Sequence, residues 1–154
     1  EKLLQDLKEE LLAASEHVNL EINISNALEI YGDQTMVVQV FLNLMGNAVK
    51  YSSHTLAAKV NVDCEDIGDS IQYSITDNGI GIKASDYEKI FDLFTRSQEA
   101  VEYEGTGVGL SIVKKIMEKH EGRVWIASEG KEGSTFHVAF KKQEYIAELS
   151  MQKD

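Results

Sequence analysis

Three groups of residues have the types and the spacing to do chemistry. Asn43, Asn47 and Lys50 recur at intervals of four and three, so on a helix they share one stripe. Asparagine is a mediocre helix former. Two of them at i and i+4 aim two amide oxygens where a magnesium ion could take both, with the Lys50 ammonium one turn on to meet phosphate. A solvated helix face fits the same stripe. The second group, Asp77-Asn78-Gly79-Ile80-Gly81, ends an alternating stretch. Its strand-end carboxylate would accept a hydrogen bond from an exocyclic amine such as that of adenine, and Gly79 and Gly81 would let the backbone approach a flat ring. Asn-Gly also suits a hairpin turn, although no strand of similar length follows at once. The third group is Gly105-Thr106-Gly107-Val108-Gly109-Leu110-Ser111. Glycines at alternate positions lead into a helical pattern whose free N–H groups attract anions. No Gly-Lys-Ser/Thr closes it as in a P-loop, and no strand leads in as in a dinucleotide fingerprint. A flexible hinge is the other reading.

The elements that must hold these groups follow from periodicity. Leucines at 3, 4, 7, 11 and 12 form a helical stripe, and Val18, Leu20, Ile22 and Ile24 alternate as a strand does. A short strand is expected around Ile30. Asp33 suits the N-cap of a helix over 34–51, which buries Val37, Phe41, Leu44 and Ala48 about 110° round from the asparagine stripe at 3.6 residues per turn. Ala58-Val60-Val62-Cys64 and Ile71-Tyr73-Ile75 flank the turn residues 66–69 as a hairpin. Ser85 should cap a helix over 85–91, and residues 95–106 lack periodicity and read as a long functional loop. A helix over 107–119 and a last hairpin, 123–127 with 135–140, complete the pattern. Residues 141–154 are polar and read as a frayed tail or linker. The expected domains are 1–16, the end of an upstream helix; 17–140, one catalytic unit; and the tail 141–154. The fold class is α+β, a two-layer α/β sandwich in which a mixed, mostly antiparallel sheet of about five strands packs on about three helices.

Composition removes several function classes. At 154 residues and 43% hydrophobic the chain can build one core, so wholesale disorder is excluded. Its net charge of −11 repels a phosphate backbone, so nucleic acid is not the expected partner. A nucleotide needs only a few local donors and stays open. The single Cys64 cannot form an internal disulfide, which fits a reducing, cytoplasmic location. No apolar run approaches a membrane span and no signal peptide opens the sequence. The start Glu1-Lys2-Leu3-Leu4 reads as the interior of a longer protein.

Four segments together resemble the sensor histidine kinases. Gln39-Val-Phe-Leu-Asn43-Leu-Met-Gly-Asn47-Ala-Val-Lys50-Tyr51-Ser is similar to their N box, and Asp77-Asn-Gly-Ile-Gly81-Ile to their first glycine box. Ile90-Phe91-Asp-Leu-Phe94-Thr-Arg96 resembles the F box. Gly105-Thr-Gly-Val-Gly109-Leu-Ser-Ile-Val-Lys, through to Gly133-Ser-Thr-Phe136, resembles the second glycine box and closing hairpin. Order and spacing match over about residues 17 to 140. The resemblance implies ATP bound between the helical layer and a lid. It implies Mg²⁺ on Asn43 and Asn47, Lys50 on phosphate, Tyr51 near the adenine, and Asp77 reading adenine beside Gly79 and Gly81. Arg96 would reach the γ-phosphate from the lid. Gly105, Thr106, Gly107, Val108 and Gly109 would line the phosphates, Leu110 would pack under the nucleotide, and Ser134 would hold a water beside Asp77. His120-Glu121-Gly122 departs from the usual His-Gly-Gly, and the acidic Glu99, Glu102 and Glu104 near the phosphates point to modest ATP affinity.

ATP hydrolases that share this nucleotide fold place a glutamate at the position of Asn43 to activate water. An amide cannot take a proton, so hydrolysis lacks its base here. The resemblance therefore implies a protein-histidine kinase of a two-component system. Mg²⁺, Lys50 and Arg96 would neutralise charge while the acceptor imidazole attacks. A pseudo-kinase that signals by binding ATP, and a serine kinase or ATPase of the same fold, are the alternatives. The family's acceptor motif contains proline, and this chain has none. The acceptor histidine is thus expected on a separate upstream dimerisation domain, with a response regulator receiver domain downstream in the relay. The parent is expected to be a homodimer, cytoplasmic or anchored in the inner membrane.

Overall fold

The computed structural model describes residues 1–92, 109–128 and 132–153. Its elements in chain order are α1 (Lys2–Ala14), β1 (Glu21–Ile24), α2 (Gln34–Tyr51), β2 (Lys59–Asp66), β3 (Ser70–Asp77), 3-10 turns at Ala84–Asp86 and Lys89–Phe91, α3 (Gly109–Lys119), β4 (Arg123–Ala127), β5 (Ser134–Lys141) and α4 (Gln143–Gln152). The five strands form one sheet in the order β1-β2-β3-β5-β4. Parallel strands need a long crossover, and α2 supplies it between β1 and β2, the one parallel pair; the other three pairs are antiparallel. The expected mixed, mostly antiparallel two-layer fold is the observed one.

Alternation decides which face is covered. Val60, Val62, Ile71, Tyr73, Ile75, Phe136, Val138 and Phe140 are buried on one face, against Val37, Val40, Phe41, Leu44, Met45 and Ala48 of α2 and Val113, Ile116 and Met117 of α3. Phe41 lies edge-on to Tyr73 with centroids 5.1 Å apart and stacks on Phe140 at 6.1 Å. The Asp33 carboxylate accepts from the Met36 N–H at 2.9 Å, which starts α2 where the sequence places it.

Leu4 and Leu7 of α1 are buried in this same core. Four expectations change. Val18 is 95% exposed and β1 begins only at Glu21. No strand forms around Ile30; instead Leu28 donates its N–H to Cys64 Sγ and accepts from the Tyr73 hydroxyl, bonds to side chains that replace a ladder. Ser85 caps no helix, because the segment makes two short 3-10 turns and the first has Lys83 at its N-cap. Residues 143–152 are helical rather than frayed. Lys142 Nζ reaches the Asp66 carboxylate at 2.8 Å and its N–H reaches Asp69 O at 3.0 Å, so the start of α4 is tied to the β2–β3 turn. Tyr145, Ile146 and Leu149 are only half-buried, which is why a polar pattern hid this helix.

The end of α3 shows what the departure at His120-Glu121 does. His120 holds the Ile116 carbonyl through Nδ1 at 2.7 Å and accepts the Asp33 N–H through Nε2 at 3.0 Å, so it joins the end of α3 to the start of α2. Gly122 N–H bonds Met117 O at 2.8 Å and Glu121 N–H bonds Glu118 O at 3.1 Å, the two bonds of a Schellman close. Its left-handed residue is Glu121, at φ 53°, where glycine is free of the Cβ clash that a glutamate suffers. Glu121→Gly should therefore stabilise the domain by about 1 kcal/mol. Its exposed pairing with Lys153 at 3.2 Å adds little to offset this. Urea melts of both forms check the gain; an unchanged or lower midpoint would refute it.

Candidate functional site

The asparagine stripe lies on α2, and its first member, Asn43, faces Gly109 of α3. Asn43 Nδ2 donates back to Gln39 O at 2.7 Å, which fixes the amide and turns Oδ1 outward. A Cβ on Gly109 would stand 2.5 Å from that oxygen, so glycine at the start of α3 is what lets the two helices meet here. Asn47, one turn on, is half-buried, and its amide has no hydrogen-bond partner among the described residues. Lys50 follows on the same stripe, half-buried near the helix end. Leu110 is buried in the core directly after Gly109. Arg96, Gly105, Thr106, Gly107 and Val108, and the expected lid, lie outside the described residues.

The second half of the site is the end of β3. Asp77 is only 4% exposed. Its Oδ1 accepts the Gly79 N–H at 2.8 Å and its Oδ2 accepts the Ser134 hydroxyl at 2.8 Å. Ser134, expected beside the carboxylate, is there and donates to it, because β3 and β5 pair in register with Asp77 opposite Ser134. The following loop is no hairpin turn. Asn78 bridges to the start of β2, accepting from Lys59 N–H at 2.8 Å and donating to Ala57 O at 2.8 Å. A Cβ on Gly79 would lie 2.2 Å from Tyr51 O, and Gly81 has φ 73°, so both positions require glycine. Tyr51 thus meets the loop through its backbone carbonyl at the end of α2.

Of the residues that brace this loop, the sequence points to Gly133 and misses Tyr87 and Ser128. Gly133, at φ 83°, lies so close that a Cβ would stand 1.9 Å from Asp77 O. Ser128 Oγ accepts the Ile82 N–H at 3.1 Å and donates to Gly133 O at 2.7 Å. The Tyr87 hydroxyl accepts the Ser128 N–H at 2.7 Å and donates to Ser128 O. Only the three-glycine spacing before Leu110 drew attention to phosphate; a lone serine and a lone tyrosine carry no pattern that could have done so.

Burial lifts the Asp77 carboxyl above its ordinary 3.8, against the pull of the bonds from Gly79 and Ser134. A carboxyl raised in the fold holds its proton more tightly folded than unfolded. Its contribution to stability therefore falls as pH rises through the folded value and returns below it. Recognition of an amine by the carboxylate has the opposite sign. As pH drops from neutral toward that folded value, above 3.8, adenine-nucleotide affinity should fall while this group's stability contribution grows. Asp66 and Asp69, held low by Lys142 and Lys141, act in the other direction and only below 3.8. Calorimetric ADP titrations across pH, in wild type and Asp77→Asn, separate this effect from titration of the ligand. Parallel pH dependence in the two proteins would count against it.

The described part of the candidate site is thus the Asn43 amide held on α2 beside Gly109 of α3, and the buried Asp77 carboxylate with its glycine loop at the end of β3. Residues 32–144 match the family described as histidine kinase-, DNA gyrase B-, and HSP90-like ATPase, and the chain belongs to that family. It is 36% identical over 139 residues to the phytochrome-like protein Cph1 of Synechocystis sp., covering 90% of this chain and 18% of that protein. It is 38% identical over 108 residues to the adaptive-response sensory kinase SasA of Synechocystis sp., covering 70% of this chain and 28% of that one. The chain thus spans less than a third of the length of these curated relatives. Among solved structures, a mycobacterial sensor histidine kinase, MprB, superposes with a TM-score of 0.81 at 25% identity, covering 91% of this chain and 93% of that one. The fold is that of histidine kinase catalytic domains.

Proposed function

We propose that this chain binds Mg-ATP and transfers its γ-phosphoryl group to a histidine on a separate acceptor domain, in two-component signal transduction. One observation carries the reading: the Asn43 amide, pinned by Gln39 O, turns its oxygen toward the start of α3. That position offers a metal ligand and no proton acceptor, which suits transfer to a nucleophile from outside rather than attack by water. The names of the relatives, a sensory kinase and a sensor histidine kinase, support the same class.

The residues fit a magnesium ion. Among the described residues no three His, Cys, Asp or Glu side chains gather as a metal cage. Mg²⁺ suits such a sparse site, because it is usually held by one or two protein oxygens with water and phosphate completing its shell. Asn43 and Asn47 would hold it, and it would neutralise charge developing on the phosphoryl oxygens. Asp77 would accept from the adenine amine with the loop 79–81 beside it, and Lys50 would meet phosphate, as would Arg96, which lies outside the described residues. The α3 N-terminus at Gly109 adds its own N–H donors.

The partners in this reading are an upstream dimerisation and acceptor domain of a homodimeric parent and a response regulator receiver domain. A cytoplasmic place for the domain, in a parent that is free or anchored in the inner membrane, belongs to the same proposal. No helix among the described residues is long and apolar enough to cross a membrane.

The test is radiolabelled ATP with this chain and an added acceptor domain, followed by acid and base treatment of the product. Transfer is expected only with the acceptor, giving an acid-labile, base-stable phosphohistidine. An acid-stable product would make this a serine kinase of the same fold. Brisk ATP hydrolysis without acceptor would defeat the kinase reading, and ATP binding with no transfer would leave a regulatory binding module.

A further inference from the structure

The braces behind the glycine loop form a connected device. Ser128 stands between β4 and β5 and uses every polar atom it has. Its hydroxyl takes the Ile82 N–H and gives to Gly133 O, at 3.1 and 2.7 Å. Its backbone N–H and carbonyl both bond the one Tyr87 hydroxyl. Ile82 follows Gly81 directly, and Gly133 rests against the Asp77 and Asn78 backbone just before Ser134, the donor to Asp77 Oδ2. Tyr87 closes the first 3-10 turn at Ala84–Asp86. Two stretches that are distant in sequence are therefore joined through two side chains: the loop after β3 with the 3-10 turns that follow it, and the end of β4 with the start of β5.

Two ends of the pocket depend on this junction. On one side the Ile82 bond sets how far the 79–81 backbone stands from the end of α2, where Ile80 N–H meets Tyr51 O at 3.4 Å. On the other the Gly133 bond sets the start of β5, which presents Ser134 to the carboxylate. Tyr87 bonds the Ser128 backbone and the Ser128 hydroxyl bonds Ile82 and Gly133, so both act on the pocket end through Ile82 and Gly133.

We infer that Tyr87 and Ser128 are positioning residues for base recognition, holding the Asp77 carboxylate and the 79–81 backbone at the spacing that an adenine ring requires. This rests on the ATP reading above. Loss of either hydroxyl removes bonds outside the apolar core and frees the loop to shift by a few tenths of an ångström, and orientation is lost steeply with such displacements.

Calorimetry with ADP and GDP on the whole chain tests it, with thermal melts alongside. Tyr87→Phe keeps the ring and should weaken ADP about 5- to 20-fold, with little change in the already weak GDP, so that selectivity narrows. Ser128→Ala should do the same, and Ser128→Thr, which keeps the hydroxyl, should restore most of the affinity. The double variant should lose little beyond the larger single loss, because the two side chains work as one unit. A lowered melting point with wild-type ADP affinity and selectivity in Tyr87→Phe would mean a purely structural bond and would overturn the inference. Should Ser128→Ala fail to fold, Tyr87→Phe decides alone. If the wild-type chain binds no adenine nucleotide, the ATP reading itself fails, an outcome distinct from variants that bind like wild type.

Discussion

Asn43→Ala and Asn47→Ala should each lower phosphoryl transfer to an added acceptor domain by about 100-fold or more, roughly 2.7 kcal/mol of barrier at about 1.36 kcal/mol per decade. ATP binding should suffer far less, because a magnesium ion works hardest on charge that develops at the γ-phosphate during transfer. Neither change threatens the helix. Alanine is the better helix former, and both side chains are half-buried at the edge of the core rather than inside it. The bond lost in Asn43→Ala is a local one to Gln39 O. Because both oxygens are assigned to one ion, the double variant should lose little more than the worse single one, a marked departure from additivity. Single-turnover transfer rates over a magnesium series, with ATP affinity measured in parallel, read both quantities. Wild-type transfer in either single variant at saturating Mg²⁺ would remove that residue from the metal site. Losses that simply add would argue for two separate roles.

Asp77→Asn should weaken ATP by about 10- to 150-fold, from the roughly 1.5–3 kcal/mol that a charge-assisted hydrogen bond contributes. The geometry shows why this variant should still fold. The substituted amide can keep its oxygen toward the Gly79 N–H and place its nitrogen toward the Ser134 hydroxyl, which can turn to accept. Removing a charge that is only 4% exposed and has no basic partner among its bonds also lifts a desolvation cost. The melting temperature should thus hold or rise while affinity collapses, a divergence that general destabilisation cannot produce. Calorimetry and thermal melts on the same preparations check it. Equal ATP affinity in the variant, or GTP bound as tightly as ATP by the wild type, would sink the adenine assignment.

Local chemistry made much of this protein legible before any coordinates. The cap at Asp33, the apolar stripe from Val37 to Ala48, the alternation in β2, β3 and β5 and the turn at 66–69 each depend on residues adjacent in sequence or one helical turn apart. Those interactions are local, so periodicity exposes them. The asparagine stripe and the Asp77 glycine loop were visible for the same reason. Long-range packing decided the rest. The leucines of α1 could belong to any helix until Leu4 and Leu7 were found in this core. The stretch around Ile30 alternates enough for a strand, but Cys64 and Tyr73 take its polar groups. The helix at 143–152 needed Lys142 anchored on Asp66. At the site, whether Asp77-Asn78-Gly79 closed a hairpin could not be read from three residues. The outcome rests on Ala57 and Lys59 across the sheet and on Tyr51 O beneath Gly79. Sequence alone determined which residues are candidates for the chemistry, because their types and spacing are local properties. Only the tertiary structure decided that Ser134 bonds Asp77 directly and that Tyr87 and Ser128 brace the loop, because those bonds join residues 41 to 57 positions apart, and no periodicity reaches across such a gap.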